Sequence, residues 1–266
     1  MIDESQCSIS FIGNATTLLR FGDFTLLTDP NFVRRGQWVH IGHGIVTRRR
    51  TQPSMNVHEL PDLDAVVLSH LHGDHFDRVA RRGLHRDLPV FTTAHAARKL
   101  RGYGFAEAVP MPRWTQRSMS KSGDRLEITS LPGKHACGAL AAVVPPVMGT
   151  LVEYLPREGD PLRVYLSGDT VLHSDLREIT DLFPDIDVAV LHLGGTKVFG
   201  RLLTMDGGQG ARLLDILKPA HTIPVHYDDY GVMKSPLSDF QVAVDQRPGV
   251  HAQYVHRGQT CPLPPT

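Results

Sequence analysis

Cysteine is scarce in this chain: Cys7, Cys137 and Cys261 are the three present in 266 residues. They are widely spaced and odd in number, which argues against a disulfide framework and for a reducing compartment. No CxxC pair occurs, so a thiolate zinc site is not expected. An excess of charge is lacking as well. Lys plus Arg and Asp plus Glu each total 28, giving a formal charge of +0 with histidine neutral. Nothing global therefore points to nucleic acid or to an anionic membrane, and any anion binding must come from a local patch. Long apolar runs are missing too: none approaches the ~18 residues of a membrane span. Residues 1–5 are acidic rather than the basic start of a signal peptide, so the cytoplasm is the expected location. No linker, low-complexity tract or repeat interrupts the sequence. Residues 1–266 are expected to form one domain, with 262–266 a loose tail.

Histidine, in contrast, is plentiful, with 15 residues, several of them at the ends of apolar runs. Short strands are expected at 8–11, 17–21 and 24–28, the last two joined by the Gly22-Asp23 turn signal. Strands at 65–69, 90–93, 125–131, 148–155, 163–167, 188–191, 221–225 and 251–255 follow. Helices at 77–82, 94–101, 174–182, 206–217 and 237–244 alternate with them. Early strands and then strand–helix alternation suggest sheets covered by helices. Residues 31–62 have little periodicity and many His, Arg, Gly and Pro residues. A segment that long without regular structure is more often functional than idle.

The densest chemistry is His70-Leu71-His72-Gly73-Asp74-His75, which follows the apolar run Ala65-Val66-Val67-Leu68 and leads into a helix. A turn at the end of a buried strand projects its side chains into a common space, and His and Asp are usual ligands of zinc and similar ions. The spacing suggests two ions, with His70 and His72 facing one and Asp74 and His75 facing its neighbour. Hydrolysis by metal-activated water is the leading expectation. Four further residues stand at expected strand ends: His135, Asp169, His192 and His226. A carboxylate such as Asp169, after a strand and a glycine, is placed to bridge two cations, which in two-metal hydrolases lie ~3.5–4 Å apart.

In chain order, His70, His72, Asp74, His75, His135, Asp169 and His226 resemble the full ligand set of the metallo-β-lactamase superfamily. The segments Phe11-Ile12-Gly13-Asn14-Ala15-Thr16, Leu27-Thr28-Asp29-Pro30 and Pro224-Val225-His226-Tyr227 resemble one branch of it. That branch contains L-ascorbate-6-phosphate lactonase-like proteins and N-acyl-phosphatidylethanolamine phospholipase D. The resemblance runs from about residue 8 to residue 245. It implies an α/β fold, a four-layer αββα sandwich with metals at one edge of both sheets. It also implies that His70, His72 and His135 hold the first metal, that Asp74, His75 and His226 hold the second, and that Asp169 bridges them. The nucleophile would be a hydroxide between the ions, its pKa lowered toward ~7, with Asp74 orienting it and receiving a proton. Two divalent ions are expected, Zn²⁺ first, although Mn²⁺ and Fe²⁺ accept the same donors. The long insertion of the superfamily's RNA-processing nucleases and the membrane-docking elements of the phospholipase have no counterpart here.

Two histidines depart from the family pattern. His192 lies in Leu191-His192-Leu193-Gly194-Gly195, where the family segment resembles Pro-Ile-Gly-Gly, and His173 lies four residues after Asp169. Both are candidate catalytic residues, as acid or substrate ligand, or else partners that orient a metal ligand, and a hydrogen-bonded core or rim histidine fits both positions equally. Arg48, Arg49 and Arg50 lie where relatives build a pocket wall and are candidate ligands for a phosphate or carboxylate, against the plainer reading of a solvated face. The remaining histidines read as structural or surface residues, His40 and His43 being the nearest of them to the pocket wall. The expected substrate is a small anion with an ester-type bond, a phosphodiester or a lactone. A di-iron redox protein on the same scaffold is the alternative, but its motif resembles HxExDH, with Glu where this chain has His72. A non-catalytic metal-binding protein is the third reading, and no ligand is lost to support it. A homo-oligomer, common among relatives, has no surface stripe here to declare it.

Overall fold

Several strands of this chain are apolar on both faces, and such strands must lie inside a layered stack. The computed structural model describes residues 7–264 except His43, Ala139, Leu140, Ala142 and Phe199. The expectations made for residues 1–5 and for His43 fall outside the described residues. In chain order the strands begin with β1 (Ser8–Gly13), β2 (Thr16–Phe21), β3 (Phe24–Thr28) and the hairpin β4 (Trp38–His40) and β5 (Val46–Arg48). There follow β6 (Ala65–Leu68), helix α1 (Arg78–Gly83), β7 (Val90–Thr92), α2 (Ala94–Gly102), β8 (Ala108–Pro110), β9 (Gln116–Lys121) and β10 (Asp124–Leu131). Then come β11 (Gly149–Leu155), β12 (Leu162–Leu166), α3 (Arg177–Leu182), β13 (Val188–His192), β14 (Lys197–Val198) and β15 (Arg201–Leu202). The chain ends with α4 (Gly207–Leu217), β16 (His221–Val225), α5 (Leu237–Asp245) and β17 (Thr260–Pro262).

The strands build two large sheets, ordered β17-β1-β2-β3-β6-β7-β8 and β16-β13-β12-β11-β10-β9. Ile9, Leu19, Leu26 and Val67 of the first sheet share one core with Ile128, Val152, Val164 and Val190 of the second. The outer face of the first sheet (Leu18, Leu27, Val66, Val90) packs under Ala80 of α1 and Ala96 and Leu100 of α2. The outer face of the second (Leu151, Tyr165, Ala189, Leu191) packs under Ile179 of α3, Leu213 of α4 and Phe240 of α5. These are the four layers of an αββα sandwich. Each large aliphatic side chain so buried contributes roughly 1.5–3 kcal/mol. Parallel pairing of β3 with β6, and of β12 with β13 and β13 with β16, brings their C-terminal ends to one edge. Strand β10 is antiparallel to β11, itself antiparallel to β12, so β10 ends at that edge too.

Three stretches differ from their sequence-based reading. Residues 31–62 are not wholly irregular, because β4 and β5 pair there and Val57–Glu59 forms a 3₁₀ turn. The strand expected at 251–255 reduces to a single bridge between Ala252 and Thr222. Of the tail expected to be loose, the described residues are held: Thr260–Pro262 pairs with β1, and Leu263 enters the core. Pro262 is tolerated there because an edge strand can do without one donor.

Helix α4 opens with Gly207-Gly208-Gln209-Gly210, a poor helical sequence on propensity alone. Packing explains it. A Cβ on Gly207 would stand 2.4 Å from the Phe240 amide nitrogen, and one on Gly210 would stand 2.4 Å from Leu193 Cδ2. Gly208 meets only Asp206 Oδ1, at 3.7 Å. Gly207→Ala is therefore expected to lower stability by about 1–3 kcal/mol through overpacking. Gly208→Ala should be neutral or stabilising by up to ~1 kcal/mol. Urea unfolding of the two variants checks this, and a stabilised Gly207→Ala would show that α5 is free to move away.

Candidate metal centre

Six strand ends meet at the shared edge. Asp29 follows β3, the 69–75 turn follows β6, His135 follows β10, Asp169 follows β12, His192 ends β13 and His226 follows β16. The structure brings all seven candidate ligands together. His70, His72 and His135 form one group and Asp74, His75 and His226 another, with the donor atoms of each within 4.8 Å of one another. Asp169 lies between the groups: it forms a third set with His70 and His75, and its two oxygens stand 3.4 Å from His226 Nδ1 and 3.3 Å from His75 Nε2.

Hydrogen bonds outside each group fix which ring nitrogen faces inward. His135 Nδ1 is 2.9 Å from the Asp169 and Leu203 carbonyl oxygens. Carbonyls only accept, so Nδ1 carries the proton and Nε2 presents a bare lone pair. That Nε2 is 3.3 Å from His72 Nδ1, which is itself 2.9 Å from His70 Nε2. His75 Nδ1 lies 3.0 Å from Asp29 Oδ2, which leaves its Nε2 for the second group. There His226 Nε2 and His75 Nε2 stand 3.5 and 3.9 Å from Asp74 Oδ2. Asp74 Oδ1, Asp169 Oδ1, His75 Nε2 and both His226 nitrogens are buried with no hydrogen-bond partner among protein groups. Buried polar atoms almost always have partners. Lone pairs that converge from three sides without a shared proton fit divalent cations.

The electrostatics divide the centre. Burial and the neighbouring imidazoles hold His70 well below its usual pKa, and burial with His135 beside it brings His72 down to about 3. Burial opposes charge on His75 too, but Asp169, Asp29 and Asp74 outweigh it and raise that ring well above the usual range. The second group therefore lies in a field that favours positive charge.

Sequence reading missed the supports of these ligands. Asp29 accepts hydrogen bonds from the Ser69 amide at 2.7 Å and the Ser69 hydroxyl at 2.8 Å, besides holding His75. Burial alone would raise its carboxyl, but His75 and His192 bring it down to about 2. Asn14 donates from Nδ2 to the Asp74 carbonyl at 2.6 Å and accepts at its own carbonyl from the His226 amide at 2.9 Å. Its signal was there, because Asn after Gly is a residue that tolerates positive φ, and Asn14 sits at φ 58°. Gly194 is needed for a different reason: a Cβ there would come within 3.0 Å of His226 Nδ1.

The other candidates fall elsewhere. His192 lies behind His75, with Nε2 3.3 Å from Asp29 and Nδ1 3.2 Å from Ser167 Oγ. Its placement is that of a residue orienting Asp29. His173 is not brought to the metal groups and turns into a separate cleft. Arg49 corrects the expectation of an arginine clamp. Its side chain is fully buried and donates to the Asn31 carbonyl and side-chain oxygens, both at 2.8 Å, to the Val33 carbonyl at 3.1 Å and to Asp229 at 3.1 Å. Arg48 and Arg50 are exposed, Arg48 donating to the Gly36 carbonyl at 2.7 Å.

A layered αββα fold with paired His/Asp groups at one sheet edge defines a metallo-β-lactamase-fold protein. The family model described as "Beta-lactamase superfamily domain" matches residues 25–227, and the chain belongs to that superfamily. A "UPF0173 metal-dependent hydrolase" of Deinococcus radiodurans is 28% identical over 256 residues, covering 96% of this chain and 99% of its own. Among solved structures, a "possible metal-dependent hydrolase" from Veillonella parvula superposes with a TM-score of 0.78 at 23% identity, covering 96% of this chain and 99% of its own. An isothiocyanate hydrolase from Delia radicum gut bacteria gives 0.77 at 20% identity, covering 96% and 98%.

Arg49→Met would leave the Asp229 carboxylate buried with only Arg257 and Thr51 as side-chain partners. Breaking a buried ion pair costs about 3–5 kcal/mol, and a loss of that order is expected in chemical denaturation. A loss below ~1 kcal/mol, with a raised KM for anionic substrates, would restore Arg49 to a substrate-binding role.

Proposed function

We propose that this protein is a metal-dependent hydrolase with a dinuclear centre. The reading rests on seven His and Asp side chains that converge at one sheet edge, six of them buried, with atoms of Asp74, His75, Asp169 and His226 left without protein partners. His70 Nε2, His72 Nδ1 and His135 Nε2 would hold one cation. Asp74, His75 and His226 would hold the other, with Asp169 shared. A donor set dominated by imidazole suits zinc first, and manganese or iron also fit it. Two such cations, when bound, acidify water toward neutral pH and polarise the oxygen of a scissile carbonyl or phosphoryl group. Asp74 turns Oδ2 toward the histidines, and its unpartnered Oδ1 would accept the proton of an attacking water. His192 holds Asp29, and Asp29 holds the His75 ring, so these two position a ligand rather than touch substrate.

A small anionic substrate with an ester-type bond, a phosphodiester or lactone, remains our choice, although not through Arg49, whose side chain is buried. Support comes from a cleft of about 290 Å³ bordered by His72 and lined by Arg78, Arg81 and Lys99. The carboxylate at that cleft, Asp77, is engaged by the Phe32, Val33, Val79 and Ala80 amides. Three cations beside a candidate metal ligand favour an anionic group. Asn14 and Asp29, both bonded to ligand-bearing segments, support kinship with the lactonase and phospholipase D branch.

The test is a panel of a phosphodiester, acyl-homoserine and sugar-phosphate lactones, a β-lactam and an isothiocyanate, run with metal content measured. One class should be hydrolysed well above the others, and chelation should abolish turnover until zinc or manganese is restored. His72→Ala and Asp74→Ala are expected to reduce hydrolysis to background while circular dichroism stays unchanged. Full turnover in either variant, with metals absent, would overturn the two-metal reading.

A further inference from the structure

A second cleft, of about 280 Å³, opens between the start of α2, the turn after β8, the end of β10 and the 3₁₀ turn before α3. None of the seven candidate metal ligands lines it. Its most informative residue is His173. The side chain is only 4% exposed, and neither ring nitrogen has a hydrogen-bond partner among protein groups. Asp175 Oδ1, the carboxylate oxygen near it, is 3.8 Å from Nδ1, too far for a hydrogen bond. His95 lines the same cleft, and its Nδ1 is likewise buried and unpartnered. Burial, with Lys134 nearby, pushes the His173 ring down to about 4, so at neutral pH it offers one donor and one acceptor.

The rest of the lining selects among ligands. A cation does not fit, because among the described residues every group of three converging metal donors lies in the metal centre or its Asp29–His192 support. Lys134 and Arg113 line the cleft with one carboxylate, Asp175, which bonds Lys134 Nζ at 3.2 Å and Arg113 NH1 at 3.1 Å. Arg113 NH2 is turned outward to Glu178. Lys134 keeps two of its three donors, and the lining carries one more positive than negative charge. The walls are apolar, with Met111, Leu131 and Val147 among them.

We propose that this cleft is a binding site, distinct from the metal centre, for a small organic anion. Lys134 and Arg113 meet its carboxylate or phosphate, His173 supplies a hydrogen bond from below, and its apolar body lies against Met111, Leu131 and Val147. The occupant would rest against the backbone that carries His135. That backbone is pinned from the other side by the Lys134 amide donating to Thr170 Oγ1 at 2.9 Å and the Val171 amide donating to the Lys134 carbonyl at 2.8 Å. The proposal is independent of which bond the metal centre cleaves.

The test uses the protein as isolated, with its own metals, and three probes that share a phenyl body: benzoate, phenylphosphonate and benzyl alcohol. Carbon-13 correlation spectra of the imidazoles give a site-resolved readout, with His173→Phe identifying the His173 signal. Benzoate or phenylphosphonate is expected to shift the His173 and His95 signals saturably, with benzyl alcohol at least about tenfold weaker. The stronger of the two anions tells a carboxylate site from a phosphate site. Lys134→Met, a change at a 44% exposed side chain that should leave the fold intact, is expected to weaken that binding by about tenfold. Three outcomes would overturn the proposal: no saturable His173 shift with either anion, shifts confined to the metal-centre histidines, or equal affinity for benzyl alcohol and in Lys134→Met.

Discussion

The carboxylate of Asp29 is where the two sheets and the metal motif meet. It stands at the end of β3, takes the amide and hydroxyl of Ser69 at the end of β6, orients His75, and reaches His192 at the end of β13 in the other sheet. Without it the Ser69 amide and His192 Nε2 would be buried polar atoms without a partner, at a cost of about 1–3 kcal/mol apiece. Asp29 is also held at φ 36°, a backbone region that an L-residue enters only when its surroundings compel it. His226 sits at φ 60° on the opposite side of the centre. Positive-φ residues thus occur within and beside the Asp74, His75 and His226 group, while none of His70, His72 and His135 is at positive φ. Such strain persists only where hydrogen bonding over-determines the backbone, and here Asp29 and Asn14 supply that bonding.

A second layer of buried charge keeps this arrangement in place. Arg49 joins the loop after β3, through Asn31 and Val33, to the segment after His226, through Asp229. Asp229 in turn accepts from the Asn14 amide at 2.8 Å and is flanked by Arg257. Tyr230 donates to Asn31 Oδ1 at 2.8 Å, and Asn31 Nδ2 reaches the Gly73 carbonyl at 3.1 Å inside the metal motif. A buried ion pair is weak evidence for net stability, since desolvation offsets most of its attraction. Its effect here is geometric: it ties three loops, two of which carry candidate ligands, into one body.

This layer explains what was and was not legible in the sequence. The ligand positions could be read because each follows an apolar run that can only be a buried strand, and because their order matches a known pattern. The helices at 94–101 and 206–217 were legible for a similar reason, with Thr93 and Asp206 as N-caps. Residues 31–62 were not, because their order comes from side chains bonding to distant backbone, and no local period records that. Arg49 illustrates the failure. An Arg-Arg-Arg run looks solvent-exposed or anion-binding, and only the fold shows that its middle member, one residue past the end of β5 and bridged to Tyr230, points inward. The exchange of an expected strand at 251–255 for a real one at 260–262 has the same origin. Three residues with a proline carry no strand signal, and only the open edge of β1 selects them.

The overall charge balance of the chain conceals how charge is distributed around the centre. The ligands and Asp29 gather carboxylates at the bottom of the site, where they draw cations. The cleft beside His72 carries the opposite sign in Arg78, Arg81 and Lys99. On our proposed reading, two divalent cations would more than offset those carboxylates, so that an approaching anion would meet positive charge on the floor as well as in the cleft beside His72. A protein whose formal charge is +0 thus carries beside its candidate ligands the local positive charge on which our reading of an anionic substrate rests.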